Sequence, residues 1–137
     1  MARDEDWWAI ARGSSDAARA LQRSPATYRS SVSRHYYAAY QAVTALLIAR
    51  GRTLPKDEEA WSHLTTSEML SEELRASGHT DEARRKWRDD LKDLYRARLV
   101  ADYSARLYVG EADVIQASER SRGIIDLVSD LRSKGGS

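Results

Sequence analysis

The chain has no cysteine and no phenylalanine, only two prolines, and no long apolar run. Each absence excludes something. Without thiols there is neither a disulfide framework nor a thiolate metal site. A membrane helix needs roughly 18–20 consecutive apolar residues, and no stretch approaches that. The opening Met1-Ala2-Arg3-Asp4-Glu5-Asp6 lacks the basic-then-apolar order of a signal peptide, so a cytoplasmic protein with no membrane partner is expected. The seven glycines stand singly or at the tail and form no phosphate-cradling loop. Net charge is only +1, from 22 basic against 21 acidic residues, so bulk electrostatics select no partner.

What is present is the makings of one helical domain. At 137 residues, with 42% hydrophobic and 31% charged, the chain can bury a single core. Strand signals are nearly absent, with no sustained period-2 alternation and no Asn-Gly or Asp-Gly turn. A first helix is expected from about Asp4 to Gln22, its first-turn acids matching the helix dipole. Trp7, Ala11, Ala18 and Leu21 supply its inner face; Trp8 falls outside it and is the candidate for contact with another helix or a partner chain.

Ser24-Pro25 starts a second helix running to Arg50, with Gly51 as its stop. Val32, Tyr36, Ala39, Val43 and Leu46 form one stripe, and Tyr37 and Tyr40 lie on the next face, so burial on more than one side is expected. After a loop from Arg52 to Ala60, a short helix covers about Ser62 to Ala76, with Leu70 and Leu74 inward. Thr80 caps a fourth helix whose stripe is Trp87, Leu91, Leu94, Arg98, Ala101 and Ala105, broken at Val109-Gly110. The last helix covers about Glu111 to Arg132. The expected fold is all-α, an antiparallel up-and-down bundle of four or five helices over residues 1–132, with a flexible tail at 133–137.

The polar chemistry concentrates in two helical segments. Ser33-Arg34-His35-Tyr36-Tyr37-Ala38-Ala39-Tyr40 and Leu94-Tyr95-Arg96-Ala97-Arg98-Leu99-Val100-Ala101-Asp102-Tyr103 place tyrosines, arginines and an aspartate in core-forming helix. Buried polar groups need either a partner or a job. Tyr36, Tyr37, Tyr40, Tyr95 and Tyr103 read either as base-stacking aromatics or as large core residues, and the absence of phenylalanine favours the second. The run Arg84, Arg85, Lys86, Arg88, Lys92, Arg96 and Arg98 reads as a phosphate-binding face or as a solvated face of ion pairs such as Asp89 with Lys92. His35, His63 and His79 lie in different elements. Glu59 and His63 can share a face, but two ligands make no metal site, and neither metal nor cofactor is expected.

The order of these elements resembles the HEPN superfamily of small helical bundles, in its short stand-alone prokaryotic branch. The matching residues are Ser33, Arg34, Tyr36, Tyr37 and Ala38; Trp61-Ser62-His63; and Arg98, Ala101, Asp102 and Tyr103. The resemblance spans about Trp7 to Leu131. It implies a bundle that is frequently a homodimer, often beside a minimal nucleotidyltransferase as antitoxin, and in many members a metal-independent RNase toxin. Active members carry Arg, four to six residues, then His. There the arginine stabilises the phosphoryl transition state and the histidine relays the 2′-hydroxyl proton.

This chain departs from that pattern. Counting from Arg98, the histidine position holds Tyr103, Ser104 or Ala105, and a tyrosine is a poor base at neutral pH. Arg98 and Asp102 are spaced for an ion pair. Arg29 and His35 match formally, but lie about 240° apart around a helix. The expectation is therefore a module that binds RNA, nucleotide or a cognate nucleotidyltransferase in a groove lined by Arg34, Tyr37, Arg98, Asp102 and Tyr103, with Arg85 and Lys92 as further phosphate contacts. The alternatives are an RNase using Arg98 with Asp102 or Tyr103 as catalytic partners, and a structural dimerisation bundle.

Overall fold

The computed structural model describes residues 3–56, 58 and 60–135, and these form five α-helices with no strand. They are α1 (Asp4–Leu21), α2 (Tyr28–Ala49), α3 (His63–Ala76), α4 (Asp81–Tyr103) and α5 (Glu111–Gly135). No helix is long and apolar enough to cross a membrane.

The bundle is organised around α2. Val32, Tyr36, Ala39, Val43 and Leu46 are buried as the stripe predicts, but so are Ser31, His35, Ala38, Ala42 and Ala45 on other sides. A helix buried all round belongs at the centre, and α2 packs against every other helix of the bundle. Its contact with α1 is made by small residues, Ala11, Ser14 and Ala18 facing a similarly small surface, which lets the two axes approach closely. Polar groups there are paired: Ser31 donates to the Ala18 carbonyl at 2.8 Å and Ser14 to Gln41 Oε1 at 2.6 Å.

Local signals set most of the boundaries. Pro25–Thr27 forms a single 3₁₀ turn before α2, and Gly51, at φ 80°, ends it in the left-handed region. Ser62 caps α3 through the Thr65 amide and Thr80 caps α4 through the Ala83 amide. Gly78, at φ 86°, closes α3. Asp113 accepts from the Gly110 amide at 2.8 Å and fixes the start of α5. Gly123 lies where an added Cβ would meet Trp87 at 3.1 Å, so its missing side chain brings α5 close to α4.

Three expectations need correction. First, α4 ends at Tyr103 rather than near Val109, leaving Ala105 exposed. The cause is Arg29, whose guanidinium donates to the carbonyls of Val100, Ala101, Ser104 and Leu107 and satisfies the end of α4 from across the bundle. Second, Trp8 rather than Trp7 packs on the core, with the Arg132 guanidinium 4.8 Å over its ring and Arg132 held by Asp4 at 2.9 Å. Third, α5 continues to Gly135, three residues beyond its expected end.

Arg29→Ala removes several charge-assisted donors from the α4 terminus at once. The expected outcome is a stability loss of about 1–3 kcal/mol in denaturant unfolding, with Arg29→Lys restoring little because one ammonium cannot reproduce the fork.

Candidate functional site

The two polar segments are the two halves of one interhelical unit. Ser33 of α2 donates to Asp102 Oδ2 of α4 at 3.2 Å, and Asp102 stands 3.0 Å from Arg98 Nε. That ion pair is a charge contact without hydrogen-bond alignment, because Arg98 Nε has no hydrogen-bond partner among the described residues. The guanidinium lies 5.3 Å from the Tyr37 ring centre and 5.5 Å from that of Tyr103, within cation–π range of both. Burial works against its charge, but Tyr37, Tyr103 and Asp102 outweigh this and hold its pKa above the ordinary value. Arg98 is therefore a fixed cation, half-buried, between two aromatic faces. Tyr103 itself is 71% exposed.

Behind this clamp lies a tyrosine–histidine cluster. Tyr36 stacks near Tyr40 and sits edge-on to Tyr37, and its hydroxyl contacts His63 Nδ1. His63, at the start of α3, stacks on Tyr95 with ring centres 4.3 Å apart and 22° between planes. Tyr40 donates to the Trp61 carbonyl at 2.5 Å, which ties the 61–63 segment to α2. Tyr36 is 1% exposed, and burial pushes its pKa well above that of a free phenol. It is thus a permanent hydroxyl donor, and His63 Nδ1 is the acceptor available to it. Neutral His63 then carries its proton on Nε2. Burial, and then the charge of Arg98, lower the His63 pKa, so the neutral form prevails.

A cavity of about 390 Å³ opens beside the cluster, between α3 and α4. His63, Tyr95, Leu91 and Leu99 are among its walls, and Lys92 and Arg96 bring positive charge to it. Leu64, 65% exposed, stands at its edge.

The expected site residues divide. Tyr37, Arg98, Asp102 and Tyr103 come together, and Lys92 lines the adjoining cavity. Arg34 is exposed on α2 one turn before Tyr37. Arg85 is exposed near the other end of α4, 13 residues from Arg98 and so about 20 Å away along the axis, outside the unit. The basic run is largely a solvated, paired face: Lys86 with Asp90, Arg96 with Asp93, Arg84 with Asp81. Lys92 pairs with Glu68 of α3 at 3.1 Å rather than with Asp89. Arg29 and His35 are not a dyad. Arg29 caps α4, whereas His35 meets Gln22 Oε1 at 2.9 Å. Among the described residues no group of three His, Asp or Glu side chains converges on a metal-sized site; Glu59 lies outside them.

Sequence reasoning missed that His63 belongs beside Arg98. Its segment is part of the family pattern, but the Arg-x(4–6)-His spacing points along α4, and the histidine arrives from α3.

The sequence matches the HEPN domain family over residues 5–131. The chain belongs to the HEPN family. No curated protein matches it. HEPN membership agrees with the all-helical bundle and is consistent with an RNA- or nucleotide-related helical module.

The buried histidines set a pH dependence. His35 is pushed down from 6.5 to about 4 by burial and then by the charges of Arg19 and Arg122. As pH falls below 6.5, the unfolded chain takes up this proton before the folded chain does. Stability is therefore intact at neutral pH and lost progressively down to about pH 4, by about 3 kcal/mol for this group alone. His63 adds a loss of the same sign. Urea unfolding across that range should show the decline, with a shallower slope in His35→Gln.

Proposed function

We infer that this HEPN domain is a binding module for RNA or nucleotide, and that the contact surface is the α2–α3–α4 face around Arg98. The observation that carries the reading is the clamp itself. Arg98 is a permanently charged guanidinium held between the Tyr37 and Tyr103 rings, with Tyr103 largely exposed to stack on a base. Arg34 extends the positive surface along α2, and the cavity with Lys92 and Arg96 offers an apolar slot with cations beside it for a second base and its phosphate.

The same geometry disfavours RNA cleavage. A metal-independent RNase needs a proton acceptor at the 2′-hydroxyl. Asp102 is engaged by Arg98 and Ser33, Tyr103 is a phenol, and His63 has its Nδ1 lone pair committed to Tyr36, leaving Nε2–H as a donor. His63 is thus suited to donate to a phosphate or a base carbonyl rather than to accept a proton. On this reading the departure from Arg-x(4–6)-His leaves the domain a binder of RNA or nucleotide.

A protein partner is the second reading. Tyr103, Leu107 and Tyr108 are 71%, 54% and 87% exposed at the end of α4, an aromatic and aliphatic surface beside the clamp. A second copy of the chain, or a nucleotidyltransferase antitoxin in a toxin–antitoxin pair, is the occupant that this surface and the family suggest. Light scattering on wild type and a Leu107→Asp/Tyr108→Asp variant tests it: a dimer that persists in the variant places the interface elsewhere.

The deciding experiment pairs binding with cleavage. Single-stranded RNA should bind with an affinity that falls steeply as salt rises, and Arg98→Ala should weaken it by about tenfold or more. In EDTA, wild type and identically purified Arg98→Ala should show equal, background cleavage. Cleavage by wild type that vanishes in the variant would restore the RNase reading.

A further inference from the structure

On the opposite side of α2 from the Arg98 clamp, a second polar cavity of about 110 Å³ opens to the surface between α1, α2 and α5. Arg19 and Ser15 come from α1, His35 from α2, and Ser118, Arg122 and Asp126 from α5. His35 is only 3% exposed, yet it lines this cavity rather than disappearing into the apolar core. Its Nε2 is engaged by Gln22 Oε1, and the Ser121 hydroxyl donates to its main-chain carbonyl at 2.7 Å, so the ring is fixed in place. Nothing in the clamp on the other side of α2 uses it.

Two arginines face two carboxylates here, so the cavity carries no net charge, but its cations are unequally engaged. Arg19 is paired with Asp16 on its own helix, and Asp126 supplies one carboxylate, but Arg122 makes no ion pair among the described residues. Two guanidiniums, two serine hydroxyls and an imidazole thus converge from three helices on a space of small-molecule size. We propose that this cavity is a binding site for a phosphate group, either inorganic phosphate or the terminal phosphate of a nucleotide. Arg19 and Arg122 supply the countercharge, Ser15 and Ser118 donate hydrogen bonds, and the His35 imidazole forms the floor.

Asp126 gives the site its selectivity. A carboxylate repels a fully deprotonated oxyanion but accepts a hydrogen bond from a phosphate that retains a proton. Sulfate carries no proton at neutral pH and has nothing to offer it. The site therefore prefers phosphate to sulfate. Binding is also linked to His35. The groups facing this imidazole are Arg19 from α1, neutral Gln22 beyond it, and Arg122 and Asp126 from α5; burial first, and then the two arginines, favour its neutral form. A bound anion reverses that field, so phosphate raises the His35 pKa, and reciprocally protonation tightens phosphate.

The test is a histidine NMR titration of the whole chain from about pH 4 to about pH 8, alone and with inorganic phosphate, sulfate or AMP. Phosphate should raise the His35 midpoint by about one unit, with a smaller shift in sulfate. In Arg19→Gln/Arg122→Gln, whose side chains are at the surface, the phosphate shift should vanish. AMP acting at about tenfold lower concentration than phosphate would identify a nucleotide's terminal phosphate as the ligand; equal potency would identify free phosphate. Asp126→Asn should erase the preference for phosphate over sulfate. A His35 midpoint unmoved by phosphate and AMP alike, or a shift of equal size in the double variant, would overturn the proposal. Because His35 reports only on this cavity, AMP bound at the Arg98 face leaves its midpoint unchanged, and the two sites are told apart.

Discussion

The constraint on which this structure depends is the near-complete burial of α2. A helix surrounded by others has no water to satisfy its polar groups, and this one carries serines, a threonine, tyrosines and a histidine. Each is answered by a particular neighbour. Thr44 bonds back to the Tyr40 carbonyl within α2, whereas Ser31 reaches the Ala18 carbonyl, Tyr40 the Trp61 carbonyl, Tyr36 the His63 ring and His35 the Gln22 side chain. An unmade bond of this kind costs about 1–3 kcal/mol, so the set fixes which helix lies where around α2 as firmly as apolar packing does.

The functional geometry is a consequence of that answering. Tyr36 needs an acceptor and holds His63 against Tyr95; Ser33 needs one at the surface and finds Asp102, which in turn orients Arg98. The conspicuous residues of α2 and α4 are therefore structural and functional at once. Their inner members tie the helices together; of their outer members Tyr103 is exposed, while Tyr37 and Arg98 lie partly buried beside it. The two readings of the tyrosine cluster are divided by depth: Tyr36 and Tyr40 are core, Tyr103 is surface.

The same logic separates two kinds of cation in α4. Lys86 and Arg96 are paired with acids one turn away and belong to a solvated face, where each pair contributes little. Arg98 is shielded from solvent, flanked by rings and short of an aligned partner at Nε. Counting basic residues along the helix does not distinguish these cases; position relative to α2 does.

Helix number, the central stripe of α2, the cap at Thr80, the glycine stop at Gly51, and the Arg98–Asp102 spacing were all determined by the sequence alone. Each depends on interactions within four residues or on the 3.6-residue period, and such information is local. Tertiary structure alone decided the rest. It ended α4 at Tyr103, because the capping donor Arg29 lies more than seventy residues earlier in the chain. It turned Lys92 to Glu68 of another helix, brought Trp8 rather than Trp7 under Arg132, and carried His63 to the Arg98 neighbourhood from α3. These outcomes hang on which surfaces meet across the bundle, and pairings between distant segments leave no periodicity along the chain from which to read them.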